Sequence, residues 1–172
     1  MGDSATTIIA IFLAAILMFV FPLMTMADKT DDTVKLTVQT ATTDFTNKVR
    51  TTGLLSQEDY DNFILTLSST NNSYDAEIVV QKIDENPAKK AGGATVQIGD
   101  NVYYTMYTTQ VLESLPLNLK EGDIISVTVK NTNNTIATQL RNFMYKVTGN
   151  ESKAITAQSS GIVTKTTTKT TK

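Results

Sequence analysis

The 172-residue chain has no cysteine, no histidine and no tryptophan. Without cysteine there can be no disulfide, thiolate metal site or thiol nucleophile. A thiol-free chain also suits an exported protein, since nothing can mispair outside the cell. Without histidine the commonest general base and the commonest zinc ligand are missing. Charge is sparse as well: 19 % of residues, a net charge of -2 and a pI of about 5.1. Clustered Lys and Arg, which phosphate recognition needs, are therefore not a feature of the composition. These absences lead us to expect no catalytic activity, no cofactor, no metal, no nucleic-acid partner and no small-molecule substrate. Threonine and asparagine are abundant instead, a composition common in exported bacterial surface proteins.

What is present is one long apolar run. From Ile8 to Ala27 the chain reads IIAIFLAAILMFVFPLMTMA, uncharged and interrupted only by Pro22. Its length matches a helix crossing roughly 30 Å of hydrocarbon at about 1.5 Å per residue. Three readings follow. Thr25-Met26-Ala27 before Asp28 resembles a small-residue cleavage site, which would release a secreted adhesin or binding domain, although Met1 to Thr7 has no positive charge. The run is otherwise an uncleaved anchor, or an anchor that also packs in the core of a filament. Ala10, Ala14 and Ala15 are small enough for close helix approach. With Ile8, Ile11, Met18 and Pro22 they are the candidate membrane and assembly residues. Lys29 and Lys35 follow the run, a bias weakened by the acidic residues among them. We expect a single-pass cell-membrane protein in contact with lipid, its head outside the cell.

Val34, Val38, Ala41, Phe45 and Val49 recur at steps of four, three, four and four, a helical stripe, with threonines on the other faces. Gly53 suits a C-cap, and Pro22 need not end a helix in this setting. The pattern predicts nearly continuous helix from about Thr6 to Thr52. Ser56 followed by Glu58 and Asp59 predicts a capped helix carrying Tyr60, Phe63, Ile64 and Leu67 on one face. Tyr74 to Ile83 alternates as a half-buried strand. Asp84 to Gly93 is read as a loop, and Thr95–Ile98 with Val102–Tyr104 as the arms of a hairpin. A short helix over Thr108 to Leu115, a strand over Ile124 to Val129, and a helix with Ile136, Leu140, Phe143, Met144 and Val147 on one face follow. A last strand over Ala154 to Val163 precedes a Thr/Lys tail read as disordered. The segments are thus 1–27 anchor, 28–53 amphipathic continuation, 54–163 head and 164–172 tail. The predicted class is α+β: a long N-terminal helix, then a small head with a mainly antiparallel sheet and short helices.

A hydrophobic N-terminal helix with a proline at position 22, continuing as an amphipathic helix into a small α+β head, resembles the type IV pilin and pseudopilin plan. The stretch TNKVRTTGLLSQEDYDNFILTLSSTNNSYDAEIVV, Thr46 to Val80, resembles TadE-like minor pseudopilins of tight-adherence systems. The resemblance implies a structural or assembly component of a bacterial surface filament, secretion or conjugation-type apparatus. Its partners would be its own copies or other pilin-like subunits, engaged through the N-terminal helix. Only Met1 precedes Gly2, and cleavage after Gly2 would make Thr7 the fifth residue in place of the pilin glutamate. An unprocessed accessory protein of such a system fits the same residues.

Other clusters have simpler explanations. Glu58, Asp59 and Asp61 belong at a helix N-terminus. Asp75 and Glu77 share the solvent face of a strand. Asp28, Asp31 and Asp32 lack calcium-loop spacing. Tyr103, Tyr104 and Tyr107 are the densest aromatics, read either as sheet core or as an exposed contact surface.

Overall fold

A computed structural model of the chain describes residues 2–84, 103–140, 142 and 154–165. Helix α1 spans Gly2–Thr52, 51 residues with Pro22 inside it. That is about 75 Å at the α-helical rise. Pro22 has no N–H to offer the carbonyl of Met18. Threonine, a mediocre helix former, is accommodated by one repeated device. The hydroxyls of Thr25, Thr30, Thr33, Thr37, Thr42, Thr43 and Thr46 each donate to the carbonyl four residues back, at 2.7–3.1 Å. The polar atom is satisfied within the helix, so these positions need neither water nor a partner chain.

That device explains a departure from the periodicity. Thr42 and Thr46, expected on outer faces, are fully buried alongside Val38, Phe45 and Val49. The buried stripe is wider than the apolar spacing implied, and hydroxyls paired to their own backbone are cheap to bury. The helix ends at Gly53, where φ is +67° and N–H donates to the Val49 carbonyl at 2.8 Å. Glycine adopts that left-handed conformation without steric cost.

After Gly53 come β1 (Leu54–Leu55) and α2 (Gln57–Ser68). Ser56 caps α2 as expected, its Oγ accepting from Asp59 N–H at 3.1 Å. Phe63 of α2 stacks on Phe45 of α1 with ring centroids 4.5 Å apart, which fixes the two helices side by side. Strand β2 (Tyr74–Ile83), β3 (Tyr103–Met106), α3 (Thr108–Glu113), β4 (Leu117–Asn118), β5 (Ile124–Asn131) and β6 (Thr156–Ile162) complete the order, with 136–140 helical between β5 and β6. The predicted class holds: a long N-terminal helix followed by an α+β head. The main sheet is antiparallel with order β3-β2-β5-β6, and β1 pairs with β4 beside it.

Register explains why α1 lies where it does. Ala76, Ile78 and Val80 of β2 pair with Val129, Val127 and Ile125 of β5, which pair in turn with Ala157, Ser159 and Gly161 of β6. The inner face is therefore large and apolar in its centre but small along β6. The helix rests against that low row, and the core closes between α1, β5 and β6. A Cβ on Gly161 would overlap the Arg50 side chain. Arg50 Nε donates to the Ile162 carbonyl at 3.0 Å, and its carbonyl accepts from Thr164 N–H at 3.0 Å. The end of α1 and the end of β6 are thus fastened together.

Several expectations meet the structure differently. Tyr103, Tyr104 and Tyr107 are not sheet core; they are 36 %, 42 % and 59 % exposed, the first two because β3 is an edge strand whose partly buried residue is Met106, the third because it lies past β3 at the start of α3. Ile136, expected on a buried helical face, is 73 % exposed, and Ala137 takes the buried position. β3 pairs with β2, Tyr103 opposite Ile83. The other expected hairpin arm and turn, most of the Asp84 to Gly93 loop, the helix positions Phe143, Met144 and Val147, and the tail from 166 lie outside the described residues. Residues 28–53 supply core to the head, so they belong to its fold.

Candidate membrane and assembly surface

The two halves of α1 have opposite fates. Its C-terminal half supplies core from one face, through Val38, Thr42, Phe45, Thr46 and Val49. Its N-terminal half carries twelve exposed large apolar side chains between Ile8 and Met26, with Val20 and Met24 half-buried, and none of the most apolar window is buried. Burying such a side chain is worth about 1.5–3 kcal/mol. Even with partial burial, covering twelve of them is worth on the order of 20 kcal/mol, more than the usual net stability of a domain, about 5–15 kcal/mol. A patch this large marks an interaction surface. By length and composition α1 can cross a membrane, and among the described residues it is the one helix that can.

The helix arranges the sequence-predicted residues in order. Ile8, Ile11, Ala15, Met18 and Pro22 fall at steps of three, four, three and four, one continuous stripe. Ala10 and Ala14 lie one turn apart on the adjoining row. The alanines lower the surface locally, so a second helix could approach there more closely than elsewhere. The tyrosines are not gathered in this way. Tyr103 and Tyr104 are successive strand residues facing opposite sides of the sheet, and Tyr107 caps α3.

The charged clusters are occupied by structural work. Asp59 pairs with Lys48 and accepts from the Ser56 hydroxyl at 2.6 Å. Partial burial pushes its carboxyl up, but the hydrogen bonds from Lys48 and Ser56 outweigh this and hold it below the usual carboxylate range. The same hydrogen bond, with the attraction of the Asp59 charge, raises the Lys48 ammonium above its ordinary value. Asp61 accepts from Gln57 at 2.8 Å and Asp31 from the Thr135 hydroxyl at 2.9 Å. Asp75 and Glu77 are exposed on the outer face of β2. Among the described residues no three acidic groups converge as a metal site would require.

Two features had no signal in the sequence. Asp123 is 2 % exposed and joins the end of β2 to the turn before β5: its carboxylate accepts from Ile83 N–H at 3.0 Å and from Lys120 N–H at 2.8 Å. An acidic residue in an EGD turn reads as solvated. Only the pairing of β2 beside β5 turns it inward. The second feature is a groove of about 450 Å³ where the head meets α1, bordered by Leu23, Met26 and Asp31 of α1, by Asn71 and Asn72 after α2, and by 133–137 after β5. Asn133 builds its wall, accepting from Ser73 N–H at 2.8 Å and donating to Asn72 Oδ1 at 3.1 Å. A smaller polar cavity of about 110 Å³ beside Asn131 and Thr138 has room for water rather than a substrate.

The class these features define is a chain with, among the described residues, one helix long and apolar enough to cross a membrane and an α+β head built on the far half of that helix. No family model, curated protein or solved structure matches the chain.

Proposed function

We propose that this protein is a membrane-anchored, pilin-like structural or assembly component of a bacterial surface filament, secretion or conjugation-type apparatus, and that it works by association rather than catalysis. One observation carries the reading. A single helix supplies core from one face of its second half, while none of the most apolar window of its first half is buried, so that window is suited to lipid or other helices around it. The Ile8–Ile11–Ala15–Met18–Pro22 stripe and the Ala10–Ala14 row supply the faces that would meet equivalent helices. The head is held rigidly to the helix by the Phe45–Phe63 stack and the Arg50 contacts to β6. An assembly of anchors would therefore display heads in fixed register.

Release after Ala27 is the competing reading. It is favoured by one fact: the first α1 residue packed on the core is Val34, so a cut at Ala27 would leave the core intact. Mass spectrometry of the natural mature N-terminus decides between them. A start at Asp28 in a soluble fraction overturns the anchor. A start at or near Met1 in an alkali-resistant membrane fraction supports it. Electron microscopy of surface appendages with and without the gene then separates filament subunit from lone anchor.

A further inference from the structure

The groove between the head and α1 lies at an informative height on the helix. Thr135 is fastened to Asp31 at 2.9 Å, beyond the apolar run, yet the groove it borders extends down to Leu23, inside the run. The hydrocarbon boundary falls near Ala27 if residues 8–27 span the bilayer. Four residues from Ala27 to Leu23 then take the groove about 6 Å below that boundary. The groove floor exposes apolar Leu23 and Met26, and its head-side wall offers Ile136, 73 % exposed at the start of a short helical segment. The rest of the rim is mostly asparagine and threonine, with Ala27, Val34 and Ala137 between them; its one charged group, Asp31, accepts from the Thr135 hydroxyl four residues beyond Ala27, on the headgroup side of the boundary.

We propose that the 133–137 segment is a membrane-interface foot: Ile136 inserts among the glycerol and upper acyl carbons of the leaflet that the head faces, while Asn133, Asn134 and Thr135 stay at headgroup level. The inference rests on the membrane-span reading above. The occupant is lipid because the groove is continuous with the span itself; the same turn of α1 supplies both surfaces. A depth of about 5–10 Å is usual for interfacial apolar groups. The consequence is mechanical. The head is already fastened to α1, so with the span as one attachment to the bilayer and the foot as a second, the tilt of the joined helix and head against the bilayer is set.

The absence of cysteine allows a clean test on the full chain. Single variants Ile136→Cys, Met18→Cys and Tyr104→Cys carry an environment-sensitive fluorophore and are reconstituted in phosphatidylcholine vesicles. The vesicles contain lipid spin-labelled either near the glycerol or deep in the acyl chain. Met18 reports the span; Tyr104, opposite Lys82 at the far end of β2, reports the distal head. Thermal melts check that each labelled protein keeps its fold. The expected result is a roughly twofold loss of emission at position 136 with the shallow quencher, loss at position 18 with the deep one, and none at 104. Quenching at 18 with position 136 behaving like 104 overturns the foot and leaves the span standing. No quenching at 18 overturns the span and the foot with it. Shielding of position 136 that grows with protein-to-lipid ratio, without lipid quenching, assigns the groove to a second copy and also overturns the proposal.

Discussion

Replacing Ala10 and Ala14 together by leucine tests the assembly face without adding polarity. In a helix pair that uses these alanines as its closest contact, each leucine brings extra carbons where no space exists. Overpacking costs about 1–3 kcal/mol per site. Two sites, with some sliding of the helices, give about 2–4 kcal/mol, or roughly 30- to 700-fold weaker association. Insertion is not harmed, because leucine favours the bilayer by about 0.3–0.6 kcal/mol per residue. The head is not harmed either. Position 14 lies twenty residues before Val34, the first α1 residue packed on the core, which is about 30 Å of helix. Energy transfer between donor- and acceptor-labelled copies in vesicles measures association, and the melting of the head is followed in the same samples. The paired control is Ile16→Ala with Phe19→Ala on the opposite face of the same helix, where side chains are also exposed. Unchanged transfer in the leucine variant, or an equal loss in the control, refutes close packing through the alanine row. A shifted melt refutes the mechanical separation of the two halves of α1.

Asp123→Ala should destabilise the head by about 2–4 kcal/mol, since two inward-facing N–H groups lose a charged acceptor, and hydrogen exchange should accelerate at the Ile83 and Lys120 amides. Gly161→Val should displace Arg50 and break its bond to the Ile162 carbonyl. Combined with Arg50→Ala it should cost less than the sum of the single changes, as a double-mutant cycle by thermal melting would reveal. The Lys48–Asp59 pair sets a pH dependence. Asp59 is depressed in the fold, so its contribution is present above its unfolded value of 3.8 and is lost as pH falls through the lower folded value. Lys48 is raised, so its contribution is present below 10.5 and is lost as pH rises through the higher folded value. Lys48→Met should therefore move the onset of acid unfolding to higher pH, measured by circular dichroism across an acid titration.

What could be read directly from the chain is what repeats locally. The apolar run, the stripe through Val38, Phe45 and Val49, the Ser56 cap, the Gly53 stop and the alternation in β2 all follow from residues within a turn or two of each other. They were enough to specify an α+β head on a long helix and to mark residues 8–27 as the surface needing cover. The burial of Thr42 and Thr46 depended on the small Ala157–Ser159–Gly161 row of β6, more than a hundred residues away, which lets α1 come close. The inward turn of Asp123, the exposure of Tyr103 and Tyr104 on an edge strand, and the groove that Ile136 shares with Leu23 depended likewise on the strand order β3-β2-β5-β6 and its register. Hydrophobic periodicity reports which face of an element is greasy. Which neighbour covers that face, and at what height along the helix, is a property of long-range pairing, so only the tertiary structure decided it.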